Sequence, residues 1–276
     1  MQGNLLPQKA KHYHLEKEKR SPHYVGKEYM VFEKHDGWYG YIDPGDVVRS
    51  RQQRAIPSLD WMAEPFRGLK GRIIFEILVA GMPEFKDLNG YLNRKQTGPL
   101  AYVLVHDYLV PGVFKERFRA AEAYVKQLST SYIQMANALC IATEEHWQAI
   151  AENQWALGRE GIVMKDMNAE YAPGSRIGSL LKIKEELTLD LLVVGMVEGE
   201  GKYEGTLGAL RVQECNGQEH LVSGMTDLQR DCWWAAPGTI IGQVVEVKAM
   251  KRLANGSLRE PRFKAIRHDK GIEDID

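Results

Sequence analysis

The chain has 276 residues, 44% of them hydrophobic and 26% charged, an ordinary globular composition with material for one or two cores. A formal net charge of −1 gives no global nucleic-acid signature, so any polyanion site must come from the way charge is distributed. Cys140, Cys215 and Cys232 form no CxxC pair, which sets aside a disulfide framework or zinc site and favours a reducing compartment. The opening residues lack the apolar core of a signal peptide, and no apolar run approaches the roughly 18 to 20 residues that span a bilayer. A soluble cytoplasmic protein without membrane contact is expected.

In chain order, residues 1–27 carry six Lys/Arg against two acids, and a second basic stretch lies at 242–270, with eight against three. Such runs serve as solvated surface or as the two ends of a clamp on phosphate backbone. Apolar alternation predicts strands at 71–81, 100–110 and 161–166. Helices are predicted at 116–128 and 143–158, the latter with Thr143 as cap, acids in its first turn and Gly158 as its stop. Strands mixed irregularly with helices indicate an α+β domain. Beyond about Glu186, short apolar strands alternate with glycine-bearing turns and no helix longer than about two turns is expected. That rhythm suits a small β-barrel of the oligonucleotide/oligosaccharide-binding (OB) type. The domains are therefore placed at 1–186 and 187–276.

Four stretches carry chemistry. Lys34-His35-Asp36-Gly37 follows an apolar run. A lysine at a strand end, half-buried among other cations, becomes a usable nucleophile, although the same tetrapeptide makes a good surface hairpin turn. Glu76 interrupts the apolar strand IIFEILV. Burying an acid there requires a cation or partner, and the alternative is an edge strand with the acid in water. Glu160 enters the short strand that follows Gly161, either as a site carboxylate or as a solvated turn residue. In Leu180-Leu181-Lys182-Ile183-Lys184, period-2 spacing puts both ammonium groups on one face, either for a phosphate chain or as an amphipathic surface strand.

The ordered set Lys34, Glu76, Glu160, Lys182 and Lys184 resembles the motifs of the covalent nucleotidyltransferases: DNA ligases, RNA ligases and mRNA capping enzymes. The resemblance implies a nucleotidyltransferase (adenylation) domain followed by an OB domain. It also implies that Lys34 takes AMP as a phosphoramidate, with Glu33 among the nucleotide contacts. Glu76 and Glu160 would hold ribose and Mg²⁺, and Lys182 and Lys184 the α-phosphate. Ser50-Arg51 is similar to the family's next motif and implies that Arg51 touches nucleotide or nick phosphate. His106 stands where ligases carry an aromatic ring on adenine; a buried core histidine is the other reading.

GKYEGTLGAL (201–210) is similar to the barrels of DNA ligases, and SGMTDLQR (223–230) to those of small viral ones. The stretch from Gly256 to Lys270 resembles their closing motif, which implies that Arg267 and Lys270 meet the β,γ-phosphates of ATP. Two features depart from the pattern. Tyr39 replaces the arginine usual two residues after the motif glycine, and the following basic residue appears as Arg54. With no zinc-finger cysteines and no nicotinamide-recognition module in view, ATP with Mg²⁺ is the expected cofactor set. Nicked double-stranded DNA is the expected partner of a monomer. An RNA ligase, a capping-type enzyme and a non-catalytic nucleic-acid-binding protein are the rival readings.

Overall fold

The computed structural model describes residues 5–15, 22–82, 85–93, 100–253 and 255–276. The chain divides into two compact units, Met1–Lys184 and Glu185–Asp276.

The first unit is built on two five-stranded sheets. One runs in the order Lys11–His12, Leu180–Lys184, Gly161–Asp166, Tyr29–Glu33, Ala138–Ala142. The other runs Arg49–Ser50, Trp38–Ile42, Arg72–Val79, Ala101–Leu109, Ile133–Met135. The expected strands at 71–81, 100–110 and 161–166 form, and strict alternation along Leu180–Lys184 buries Leu181 and Ile183 while Lys182 and Lys184 face the other way. The chain passes from the first sheet to the second through Lys34–Gly37, between strands Tyr29–Glu33 and Trp38–Ile42. Each sheet keeps its own apolar core. Ile73, Phe75 and Ile77 anchor the second, under 3-10 turns at Pro57–Phe66 and the helix Phe114–Gln127. Tyr29, Trp147 and Ile162 anchor the first, under helix Trp147–Ala156. Phe32, Phe114 and Phe118 form a third cluster that ties the long helix to strand Tyr29–Glu33.

The helix expected over 143–158 is shorter. A 3-10 turn occupies Glu144–His146, and Thr143 does not cap backbone, because its hydroxyl goes to the side chains of Glu145 and His146 at 3.0 and 3.2 Å. Helix Phe85–Leu92 was not expected at all.

The second unit is a five-stranded sheet in the order Glu219–Val222, Leu207–Gln213, Leu187–Glu198, Val244–Ala249, Arg262–Ile266. Its two edge strands meet where Phe263 N donates to Ser223 O at 2.8 Å beside a Ser223–Arg262 bridge. Joining the edges rolls the sheet up around Leu191, Leu210, Val212, Val245 and Val247, the barrel-type solution to unpaired edges. The expectation that no helix here exceeds about two turns is corrected. Asp227–Ala235 is a helix of 9 residues, started by a reciprocal cap in which Gln229 N donates to Thr226 Oγ1 and Thr226 N to Gln229 Oε1. Among the described residues no helix is long and apolar enough to cross a membrane.

Replacing Thr226 by Ala removes one half of that cap. A loss of about 1 kcal/mol in the stability of the second unit is expected, measured by denaturant unfolding followed through Trp233 fluorescence; an unchanged midpoint contradicts the capping role.

Candidate functional site

Strand register brings three distant segments to one point. Tyr29–Glu33 pairs antiparallel with Gly161–Asp166, so Glu33 lies opposite Ile162 and Lys34 N donates to Gly161 O at 2.9 Å. Leu180–Lys184 pairs with the other edge of the same strand, placing Lys184 opposite Gly161. Glu160 is thereby caught between two ammonium groups. Its Oε2 accepts from Lys34 Nζ at 2.7 Å and its Oε1 lies 2.5 Å from Lys184 Nζ. Gly161 makes this approach possible. Its φ is +140°, and a Cβ there would meet Ile183 O at 2.2 Å. Gly37, on the far side of the crossover, is just as constrained, since a Cβ would sit 2.6 Å from Glu76 Cγ.

The space between the sheets is a cavity of about 240 Å³. Lys34, Lys182, Lys184 and Val163 reach it from one sheet, and Glu76, His106 and Tyr39 from the other, with Glu33 and Arg51 also on its wall. Glu76 is on the central strand of its sheet, so the edge-strand alternative fails. Burial pushes its carboxyl up to about 7, with Lys34 and Arg51 pulling the other way and Glu160 adding to the rise. Lys182 is pushed down to about 8, first by burial and then by Lys184 and Lys34. His106 reaches the cavity by regular alternation with the core residues Val103 and Val105, and the register jump from Ile74–Asp107 to Phe75–Val105 leaves it outside the ladder. Its ring lies 5.8 Å from Phe32, edge to face, and burial holds the imidazole well below its ordinary pKa, hence neutral. Glu33 forms an ion pair with Arg159 and lies 3.4 Å from the ring of His35, whose pKa burial lowers.

Arg267 and Lys270 belong to the second unit, where both bind Asp190, at 2.9 and 2.6 Å. They are not among the residues that line this cavity. Of the basic stretch at 1–27, residues 1–4 and 16–21 lie outside the described residues.

Among the lining residues that the sequence left without a role are Lys165, Tyr171 and Arg176. Lys165 follows Val163 on the inward face of its strand, donates to His106 O at 3.0 Å, and is pushed down to about 8 by burial. Alternation with the buried Ile162 and Met164 was the signal that could have found it. Tyr171 and Arg176 come from the irregular stretch 167–179, where no periodicity exists to read.

Two family models match, one for an ATP dependent DNA ligase domain over residues 83–184 and one for a DNA ligase OB-like domain over 198–267. A DNA ligase of Methanopyrus kandleri is 30% identical over 196 residues, which cover 61% of this chain and 34% of that protein. A probable DNA ligase of Koribacter versatilis is 35% identical over 144 residues, 43% of this chain and 25% of that protein. The chain thus spans about a third or less of these relatives. Among solved structures, a Lig E DNA ligase superposes with TM-score 0.78 at 22% identity, covering 95% of this chain and 99% of that one. The bacteriophage T7 ATP-dependent DNA ligase in complex with ATP gives 0.56 at 18%, covering 95% and 98%. These likenesses establish the fold: a nucleotidyltransferase domain followed by an OB domain.

The two buried-charge effects predict opposite pH trends. Glu76 has a folded pKa raised above its unfolded value, so the folded state holds the extra proton and stability is lost as pH rises from about 4.5 to about 7. Lys182 has a folded pKa lowered to about 8, so its penalty on stability is full below that value and fades toward 10.5. Glu76→Gln should therefore gain stability relative to the parent between pH 4.5 and 7 and hold a constant difference above it. Parallel pH-dependent denaturant titrations of both proteins test this, and a difference that shrinks across that window contradicts it.

Proposed function

We propose that this chain, which belongs to the ATP-dependent DNA ligase family, seals 5′-phosphate/3′-hydroxyl nicks in duplex DNA by way of a lysyl-AMP at Lys34. The single observation carrying this reading is the convergence of Lys34, Lys182 and Lys184 on the cavity wall, with Glu160 behind them joining Lys34 to Lys184. Residues 1–186 act as the adenylation domain and 187–276 as the OB domain of a monomer.

The lone pair of Lys34 Nζ attacks the α-phosphorus of ATP, the bond to the β-phosphate oxygen breaks, and pyrophosphate leaves. Glu160 Oε2, already hydrogen-bonded to that amine, is the oxygen positioned to receive its proton. Lys182 and Lys184 neutralise charge on the α-phosphate, and His106 offers a neutral ring face to adenine. An oxygen of the DNA 5′-phosphate then attacks the same phosphorus, the P–N bond breaks, and Lys34 regains its amine and proton. Finally the 3′-hydroxyl attacks the 5′-phosphate and releases its proton to solvent, a phosphodiester forms, and AMP leaves.

Glu76 suits an oxygen ligand to Mg²⁺, since its carboxylate is destabilised by burial and relieved by any nearby cation. Glu160, expected to share that role, has both oxygens on lysines in this structure. A bound Mg²⁺ would supply charge neutralisation on the phosphates. For the duplex, residues 248–264 carry six cations against the single acid Glu260. Cations stand directly opposite each other on two rungs, Lys248 with Arg262 and Lys251 with Arg259, which concentrates positive charge on one ribbon, and Lys248 also pairs with Glu186 at 3.3 Å.

Incubated with ATP, the protein should gain the mass of one AMP on the peptide that contains Lys34, and Lys34→Ala should gain none; an adduct on any other residue refutes the assignment. Binding to a nicked duplex should weaken steeply with salt. Lys251→Ala and Arg262→Ala should each lower the slope of log K against log salt by about 0.9. A slope that stays at the parent value removes this ribbon from the DNA surface.

A further inference from the structure

Tyr39 stands where the family pattern has an arginine, and the geometry points to a positioning role for it: its ring is the platform that holds the Arg51 guanidinium on the cavity wall, for the terminal phosphate of the DNA strand. This rests on the ligase reading above.

Tyr39 lies on strand Trp38–Ile42 directly opposite Glu76, so both side chains leave the sheet on the cavity face. The guanidinium carbon of Arg51 sits 4.7 Å from the centroid of the Tyr39 ring, within cation–π range. No carboxylate among the described residues forms an ion pair with Arg51, and its charge is felt instead by Glu76. Tyr39 itself is enclosed beside Tyr171, and burial raises its phenol well above the ordinary value, so it stays neutral beneath the cation.

The turn that carries Arg51 is built rather than loose. Arg49 and Ala55 form a bridge, Ser50 N donates to Arg54 O at 2.9 Å, and Gln53 N to Ser50 O at 2.8 Å. Arg49 fastens it, donating to both oxygens of Asp46 at 2.7 and 3.0 Å and to Gln53 O at 3.2 Å. Gln53 holds a φ of +65°, one of two such non-glycine residues among those described. A strained residue retained in a fastened turn is a cost that the presentation of Arg51 explains.

Position decides which phosphate Arg51 meets. Lys34, on the cavity wall, keeps a side-chain exposure of 17%, whereas Arg51 is an exposed residue on the same wall. An ATP phosphate bonding to Lys34 sits at the less exposed part of that wall. The guanidinium is left for an anion that arrives from solvent after the lysine is loaded, which is the 5′-phosphate of the nick.

The test compares Tyr39→Phe, Tyr39→pentafluorophenylalanine and Tyr39→Leu, each alone and combined with Arg51→Ala. Rapid quenching of the pre-adenylated protein with a 5′-labelled nicked duplex reads AMP transfer, and labelled ATP reads self-adenylation. Tyr39→Phe keeps a negative ring face and should transfer AMP within twofold of the parent. The fluorinated ring has the same shape but a reversed quadrupole, and should slow transfer about five- to tenfold; the Leu variant should do the same. In the Arg51→Ala background all three should differ by less than twofold. Losses that persist undiminished without Arg51, or a fluorinated variant equal to Tyr39→Phe, overturn the proposal. Should Tyr39→Leu fail to fold, the pair of aromatic variants decides alone. A parent protein that forms no AMP adduct brings down the ligase reading and this inference together, whereas normal adduct and transfer with additive losses brings down only the role of Tyr39.

Discussion

One carboxylate held between two lysines organises the first unit. Glu160 bonds Lys34 on one side and Lys184 on the other, and the three residues come from segments separated by more than a hundred positions of chain on one side and about two dozen on the other. A charge in that position, with 12% of its side chain exposed, costs more in lost hydration than a surface acid, so both partners must be in register for it to be tolerated. Register is supplied by backbone pairing: Lys34 N on Gly161 O, and Lys184 opposite Gly161. Gly161 is the hinge of this logic, because a side chain there would collide with the carbonyl of Ile183 and push the neighbouring strand away. Fold and site are thus the same constraint viewed at two scales.

Much of this was legible in the residues. The alternation of Leu181 and Ile183 with Lys182 and Lys184 fixed which side chains share a face before any pairing was known. An acid within IIFEILV left only two options, and it took the strand order to choose, since sequence periodicity does not distinguish a central from an edge strand. His106 alternates regularly with Val103 and Val105, so a period of two already puts it on the face opposite that core; the bulge beside it shifts the pattern only from Asp107 and Tyr108 onward, and that shift is what alternation cannot show.

The failures have equally physical causes. Helix Asp227–Ala235 was passed over because the surrounding strands set the expectation, although Thr226 followed three residues later by Gln229 is the spacing of a reciprocal cap. Thr143 looked like a cap and is not one, since two nearby side chains, Glu145 and His146, compete for its hydroxyl. Lys165 was given no role by the sequence. Its ammonium group crosses from one sheet to bond the backbone of His106 on the other, a contact between strands 59 residues apart that no local pattern encodes.

The cavity stores electrostatic cost of both signs. Burial raises Glu76 to about 7 and lowers Lys182 and Lys165 to about 8, so near neutral pH these groups hover close to exchanging their protons. In an exposed site the same residues would sit several pH units from any such balance. Nearby opposite charges reduce the cost without cancelling it: Lys34 and Arg51 pull Glu76 back, and Glu160 pulls Lys182 back. A ligand that brings anionic phosphate to the lysines and a cation to the carboxylate relieves both penalties at once. Part of its binding energy is therefore already present in the empty protein as unfavourable desolvation. A ligand of one sign alone relieves one penalty and worsens the other, and discrimination for a phosphate accompanied by its cation follows from the arrangement of these six groups.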